Sequence, residues 1–300
     1  MSVVIAGSIA LDDITTVKGS VTGIPGGSAL YCAVAASLYS EVFLVSIAGD
    51  DFPADVIDFL GKRRVNTDNL TIVPDGKTFH WGTCYEPDMH NRTPVRRDLN
   101  VSVDFNPRLT AEAAQARCVF LANLEPENQI RVLDQAENPR FVALDTMKCY
   151  IKSDPGGLKS VIQRVDILFI NDAEARQLAD CNDTLTAAHI LSEMGPDYVI
   201  VKKGEHGSFA CADGVFFTIP AYPLDDVTDP TGAGDSYAGA AMGFLAGHHT
   251  VTPDTVKSAM VHGTVVASFC VEDFGIESMR NITPADIRIR KDHLRSITSF

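Results

Sequence analysis

Between residues 229 and 247 the chain reads DPTGAGDSYAGAAMGFLAG, a glycine-rich turn running into a helix of small residues with one acid, Asp235, at its mouth. Gly232 and Gly234 let the backbone take conformations that a Cβ forbids, so successive N–H groups, that of Ala233 included, can point the same way into a cleft. A helix starting near Ala233 adds roughly half a positive charge at its N-terminus. Together these features trap an anion such as a phosphoryl group. A carboxylate is a poor ligand for phosphate, so Asp235 is placed to take a proton from whatever attacks it. The same residues also read as a flexible helix cap in which Asp235 opposes the helix dipole. The surrounding chain has to decide between the two readings.

Short β-branched runs alternate with helical patterns along most of the sequence: strands at 3–9, 42–47, 118–122, 141–145, 166–170 and 198–202, with helices at 28–39, 54–63, 126–136, 157–163, 172–180 and 184–194 between them. Strands at 207–212 and 215–219 and long helices at 233–247 and 253–272 complete the pattern. Such alternation builds an α/β fold with a mostly parallel sheet covered on both faces. Ligands in such folds lie outside the carboxyl ends of the strands. Residues 78–85 and 99–105 instead alternate apolar and polar side chains, as half-exposed antiparallel strands do. With the segment 13–24 they are expected to form a small separate sheet.

The formal charge of −14 over 300 residues argues against nucleic acid and anionic membranes as partners. A phosphate donor would have to be received by local amides, a few lysines and a metal ion. The seven cysteines are widely spaced, without a CxxC pair, and read as buried thiols of a cytoplasmic protein. The apolar stretch 3–11 is too short to span a bilayer and reads as a first core strand. A P-loop is not present: the nearest candidate, Gly76-Lys77-Thr78, has Thr71 where the leading glycine belongs. Nor does Gly7-Ser8-Ile9-Ala10-Leu11-Asp12 match the GxGxxG turn of a Rossmann dehydrogenase.

DPTGAGDSYAG resembles the C-terminal signature of the ribokinase-like (PfkB) family of carbohydrate and nucleoside kinases. PGGSALYCAVAA at 25–36, NDAEARQL at 171–178 and VKKGEHG at 201–207 agree with that family in the same order. The resemblance implies one kinase domain over 1–300, a doubly wound sheet, and a β lid at about 13–24 and 78–105 that in relatives often forms a dimer contact. It implies transfer of the γ-phosphoryl group of ATP, with Mg²⁺, to a hydroxyl of a small acceptor. Asp235 would be the general base, and the Gly232, Ala233 and Gly234 amides the anion hole.

Other roles follow from the resemblance residue by residue. Lys202, Lys203, Gly204 and Gly207 would border the nucleotide, and His262 would flank its adenine. Asn171 would lie beside the phosphates, and Glu174, three residues on, would hold magnesium-bound waters. Asn171 and Glu174 also read as a helix capping box, and the two readings are compatible. Asp229 and Thr231 would bind a monovalent cation such as K⁺, or Asp229 would brace the turn by an Asx hydrogen bond.

Acceptor binding falls to Asp12, Gly26, Gly27, Ser28 and Tyr31. Here the chain departs from ribose-specific members, which carry a lysine and then an asparagine where Ser28 and Tyr31 stand. Tyrosine offers an aromatic face to a ring-bearing acceptor. Arg92, Arg96, Arg97 and Lys148 could meet a phosphate or carboxylate on the acceptor, or form a solvated basic run. The order of expectation is a free sugar or polyol, then a nucleoside, then a phosphosugar. A ligand sensor without chemistry would show a damaged acid or anion trap, whereas Asp235, Asn171 and Glu174 are all intact.

Overall fold

A computed structural model describes residues 2–212 and 215–299. Its main sheet runs in the order β14-β13-β12-β11-β10-β9-β1-β4-β5, with β6 also paired to β4. The strands are β1 (Ser2–Ala6), β4 (Glu41–Gly49), β5 (Val65–Asn66), β6 (Leu70–Val73), β9 (Cys118–Leu121), β10 (Phe141–Asp145), β11 (Ile167–Asn171), β12 (Tyr198–Lys202), β13 (Ser208–Ala212) and β14 (Val215–Ile219). Neighbours from β12 across to β5 and β6 are parallel, and β13 and β14 continue antiparallel. The central strands are almost wholly buried runs of Val, Ile, Leu and Phe, as required of strands covered on both faces.

The covering helices are α1 (Ser28–Ala36), α2 (Ala54–Lys62), α3 (Ala111–Ala114), α4 (Pro126–Gln135), α5 (Lys148–Ser153), α6 (Pro155–Ile162), α7 (Asp172–Leu178), α8 (Thr184–Ser192), α9 (Ala233–Ala246), α10 (Pro253–Cys270) and α11 (Pro284–Thr298). Helices α1 and α9 matter most for function, because both start at the carboxyl edge of the sheet. They pack with almost no space between them. A Cβ on Gly239 or Gly243 would come within 2.4 or 2.6 Å of a main-chain oxygen of α1. Small residues on α9 thus fix the two helices as one rigid pair.

A second sheet, in the order β3-β2-β7-β8, stands over the carboxyl edge. It comprises β2 (Ala10–Thr16), β3 (Gly19–Gly26), β7 (His80–Tyr85) and β8 (Arg92–Asp98). Two expectations are corrected here. The apolar run from 3 to 11 is not one strand: β1 ends at Ala6, and β2 begins in the other sheet at Ala10. At the break, Gly7 is wedged against Ala122 and Ser28, which leaves no room for a Cβ. Hydropathy alone could not reveal that the run changes sheets.

Residues 99–105 are likewise not the lid's fourth strand, since a 3₁₀ turn spans Asn100–Asp104. Asn100 takes a left-handed φ of 48° and its side-chain amide donates to the Thr78 carbonyl at 2.8 Å. The actual strand, β8, is exposed along its whole length, so it carries no alternation to read. It is held to β7 by main-chain pairing, with Pro94 beside a register shift at the edge.

Candidate active site

Gly232 caps α9 at φ 75°, ψ −3°, a left-handed conformation natural to glycine. A Cβ there would also lie 2.3 Å from the Tyr31 ring, so two constraints converge on this one position. The turn before it is braced from several sides. One carboxyl oxygen of Asp229 accepts the Thr231 N–H at 2.9 Å and the other accepts the Gly275 N–H at 3.2 Å. The Thr231 hydroxyl pairs with the Tyr85 phenol at 3.1 Å, and Arg92 of β8 donates to that phenol at 3.3 Å. The Asx brace weighed for Asp229 is therefore formed, and both of its oxygens are engaged by main chain.

Asp235 lies in the first turn of α9, half-buried, on a cleft of about 370 Å³. Burial, and then repulsion from Asp145, push its carboxyl up to about 7, while Lys202 and Arg92 pull the other way. Lys202 ends β12 and is ion-paired with Asp145, which ends β10. Its ammonium sits close under the anion turn, since a Cβ on Gly234 would be 3.2 Å from it. Burial opposes the lysine's charge, but Asp145, with Asp235 and Glu174 beyond it, holds its pKa above the ordinary value.

Asn171 and Glu174 form the capping box of α7: Glu174 N–H donates to Asn171 Oδ1 at 2.8 Å, and Asn171 N–H to Glu174 Oε2 at 3.3 Å. The Lys148 N–H reaches the other Glu174 oxygen at 3.2 Å. Burial and repulsion from Asp145 push Glu174 up to about 7. Asp145, Glu174 and Asp235 thus surround one lysine with three carboxylates whose repulsion a bound cation would relieve. Among the described residues no three His, Cys, Asp or Glu side chains converge as a direct metal cage. The donors fit a hydrated magnesium ion held through its waters better than a stripped one.

Among the residues expected to bind the acceptor, Asp12 of β2 is 3% exposed, packed so closely on Gly26 that a Cβ there would be 1.9 Å from its oxygen. Burial, and then Asp229, push its carboxyl up to about 8, against the Gly27 amide and Arg92. Gly27, at φ 93°, lies against the main chain of Ser8 to Ala10. Ser28 accepts the Ser8 N–H at 3.2 Å. Asp12, Gly27 and Ser28 line the cleft, and Gly26 supports Asp12 from behind.

Three expectations are changed by the structure. Tyr31 lines the cleft but is 1% exposed and packed beneath Gly232, so little of its aromatic face is offered to a ring. The other rings that line the cleft are Phe79, Trp81, Phe105 and Tyr150. His262 is not near the anion turn: its ring stacks on Phe244 at 4.4 Å and accepts from or donates to the Tyr39 hydroxyl at 3.0 Å. Phe244 is nine residues along α9 from Asp235, about 14 Å toward the opposite edge of the sheet. Burial there lowers the imidazole to about 4, which marks a core histidine. The lid arginines also do not act as one solvated run. Arg92 and Arg97 line the cleft, whereas Arg96 is paired with Asp13 and Asp98.

Lys203, Gly204 and Gly207 form an exposed turn beyond β12, with Gly204 and Gly207 at φ 54° and 81°. His90, at the tip of the lid hairpin, reaches Glu205 of this turn at 3.2 Å. Asp145, Asn123, Phe79, Trp81 and Tyr150 escaped the sequence reading. Asp145 carried a usable signal, since it is the one acid closing the apolar run 141–145 at the strand end where ligands bind. The aromatic residues carried none. Among the described residues no helix is long and apolar enough to cross a membrane.

The pfkB family carbohydrate kinase model matches residues 4–282. Cytidine kinase of Thermococcus kodakarensis is 30% identical over 259 residues, covering 84% of this chain and 90% of that protein. Nucleoside kinase of Methanothermobacter thermautotrophicus is 30% identical over 258 residues, covering 84% and 80%. Among solved structures, Methanocaldococcus jannaschii nucleoside kinase superposes with a TM-score of 0.77 at 22% identity, covering 97% of this chain and 98% of that one. Aminoimidazole riboside kinase from Salmonella enterica, complexed with aminoimidazole riboside and an ATP analogue, gives 0.73 at 17%, covering 97% and 100%. With the anion turn, its acid and the two-sheet fold in the expected order along the chain, this protein belongs to the pfkB family of carbohydrate kinases, ATP-dependent phosphotransferases with a hydroxyl acceptor.

Proposed function

We propose that the acceptor is a nucleoside, phosphorylated on a sugar hydroxyl. The observation that carries this reading is the mixed lining of the cleft. Asp12, Gly27, Ser28 and Asp235 are available to a polyhydroxylated group, and a carboxylate grips vicinal hydroxyls well. The same cleft is also walled by Phe79, Trp81, Leu99, Phe105 and Tyr150, which would cover a flat base. A free sugar, the first expectation from sequence, would leave that apolar wall against water. Relatives named for cytidine and nucleosides support the same choice.

In the mechanism, the acceptor oxygen attacks the γ-phosphorus of ATP, its proton passes to Asp235, and the bond to the ADP oxygen breaks. A base with a pKa near 7 is matched to neutral pH, and such a base contributes typically about 10²–10⁴ in rate. The amides of residues 232–234 and the Lys202 ammonium stabilise charge on the moving phosphoryl group. Asp145, Glu174 and Asn171 would hold the hydrated magnesium ion, which when bound supplies neutralising charge to the phosphates. Residues 203–207 carry the nucleotide-side turn, and the small sheet acts as a lid that shuts out water, its His90 tip meeting that turn. These parts are read as one kinase domain.

An ADP-release assay with Mg²⁺ against cytidine, adenosine, ribose and ribose 5-phosphate tests this. Burying about 100 Å² of base surface is worth roughly 2.5 kcal/mol, so kcat/KM for the best nucleoside should exceed that for ribose by tens-fold. Ribose turned over as efficiently as any nucleoside would overturn the reading.

A further inference from the structure

Asp12 of β2, Trp81 of β7 and Arg97 of β8 lie on one rung of the lid sheet: Asp12 is paired in register with Trp81, and Trp81 with Arg97. Residues paired in this way send their side chains to the same face, and all three line the cleft. Their chain neighbours Asp13, His80 and Arg96 turn to the other face, where His80 and Arg96 meet the Asp13 carboxylate at 2.9 and 3.3 Å. Strands about 4.8 Å apart put the main chain of Arg97 about 10 Å from that of Asp12, with the indole between them. The rung thus sets an order across the cleft: a carboxylate for hydroxyls, a flat ring, then a guanidinium. Glu125, which starts α4, and Tyr150 of α5 line the same cleft. Burial, then the Glu125 charge, holds the Tyr150 phenol above its ordinary range, and Arg97 pulls it down, so both charges lie near that ring. Glu125 is the N-cap of α4, yet its side chain caps nothing, and among the described residues neither it nor Arg97 forms an ion pair or a side-chain hydrogen bond.

We propose that Arg97 and Glu125 determine which nucleoside is taken, Arg97 donating to acceptors on the pairing edge of the base and Glu125 accepting from an N–H on that edge. The proposal rests on the nucleoside reading above. With the sugar hydroxyls at Asp12 and the ring along Trp81, the edge of the base falls beside Arg97. Every natural base carries there both an acceptor, a carbonyl oxygen or ring nitrogen, and an amino or ring N–H group. The parallel N–H groups of a guanidinium suit the first, and a carboxylate suits the second. Stacking on an aromatic ring hardly distinguishes one base from another, because every base has a flat face. The rings therefore supply affinity and the two charged groups supply choice. A wrong base sets N–H against guanidinium or oxygen against carboxylate, and unpaired polar groups in a closed site are costly.

Steady-state kinetics of the full chain with cytidine, uridine, adenosine, guanosine and ribose test the proposal. For the unaltered protein kcat/KM should differ by at least about tenfold between the best and the poorest nucleoside. Arg97→Met and Glu125→Gln should each change the ratio between the best nucleoside and another by at least about tenfold. Glu125→Gln should do so by raising a base that places a carbonyl where the carboxylate needs an N–H, since an amide both donates and accepts. Trp81→Ala should instead lower all four nucleosides alike, with their ratios kept within about threefold. Ratios are compared on one preparation, so a loss of folded protein cancels from them. Ratios unmoved by both Arg97→Met and Glu125→Gln, or all four nucleosides lowered by one common factor in Arg97→Met, would overturn the proposal. Ribose turned over as efficiently as any nucleoside would overturn the underlying nucleoside reading, and this assignment with it.

Discussion

The two parts of the proposed site are built on opposite principles. In the part proposed to receive the phosphoryl group, Asp145, Lys202 and Glu174 project from strand ends or a helix start in the main sheet, and the glycine turn is fastened by main-chain hydrogen bonds and a packed tyrosine. In the part proposed to receive the acceptor, Phe79, Trp81, Arg92 and Arg97 come from or beside a lid whose outer strand has no buried residue. Charge stabilisation must be preorganised to be worth much, so it rests on rigid parts. Selectivity needs only a few side chains of suitable shape, and a thin sheet can carry those.

The sharpest way to break this comparison is to damage the phosphoryl end while leaving the lid intact. Asp235→Asn should cost at least about a hundredfold in kcat with the KM for ATP little changed, and steady-state kinetics will decide. Near-normal turnover would remove Asp235 from the role of base.

The pH dependence sharpens it further, because activity and stability should move in opposite directions. As a base, Asp235 must be deprotonated, so kcat/KM should rise about tenfold per unit below its pKa of about 7 and level above it. In the folded protein Asp12, Glu174 and Asp235 all have raised pKa values, to about 8, 7 and 7. Protons held more tightly in the folded state stabilise it below the unfolded carboxylate range, and that stability is lost as pH climbs through the folded values. Melting temperature of the free enzyme should therefore fall between about pH 4 and pH 8. A melting temperature that climbs across this window would show that the three acids are not held protonated.

At the lid end, Trp81→Ala should lower kcat/KM for the nucleoside by about tenfold, consistent with about 1–3 kcal/mol per stacked base, and leave the KM for ATP alone. A loss confined to ATP would reverse the assignment of the two ends. The smallest effect is expected at His262, whose ring packs among Tyr39, Phe244 and His248. His262→Ala should keep both KM values within about twofold while lowering the melting temperature. A selective rise in the KM for ATP would restore it to the nucleotide.

How much of this was legible depended on whether function was encoded in local chain geometry. The turn at 229–235 was readable because glycine and one acid at fixed spacing leave few alternatives. The capping pair Asn171 and Glu174 was readable for the same reason. Strands β9 to β12 announced themselves by short apolar runs with β-branched residues. By contrast β8, all exposed and charged, had no hydrophobic period and was assigned to 99–105 instead. The wall of Phe79, Trp81 and Tyr150 joins residues seventy positions apart, and no local pattern links them.

By itself the sequence determined the local geometry on which the proposed chemistry rests: an acid and a glycine turn at a helix mouth, and a parallel sheet to present both. These are short-range matters, settled by backbone freedom and helix geometry within a few residues. Tertiary structure alone decided which aromatic rings line the cleft, that Tyr31 supports the turn from below, that His262 belongs to the far side, and that Asp145 holds Lys202. Each of those depends on where separate strands end relative to one another, which is set by sheet order and packing and leaves no mark on neighbouring residues.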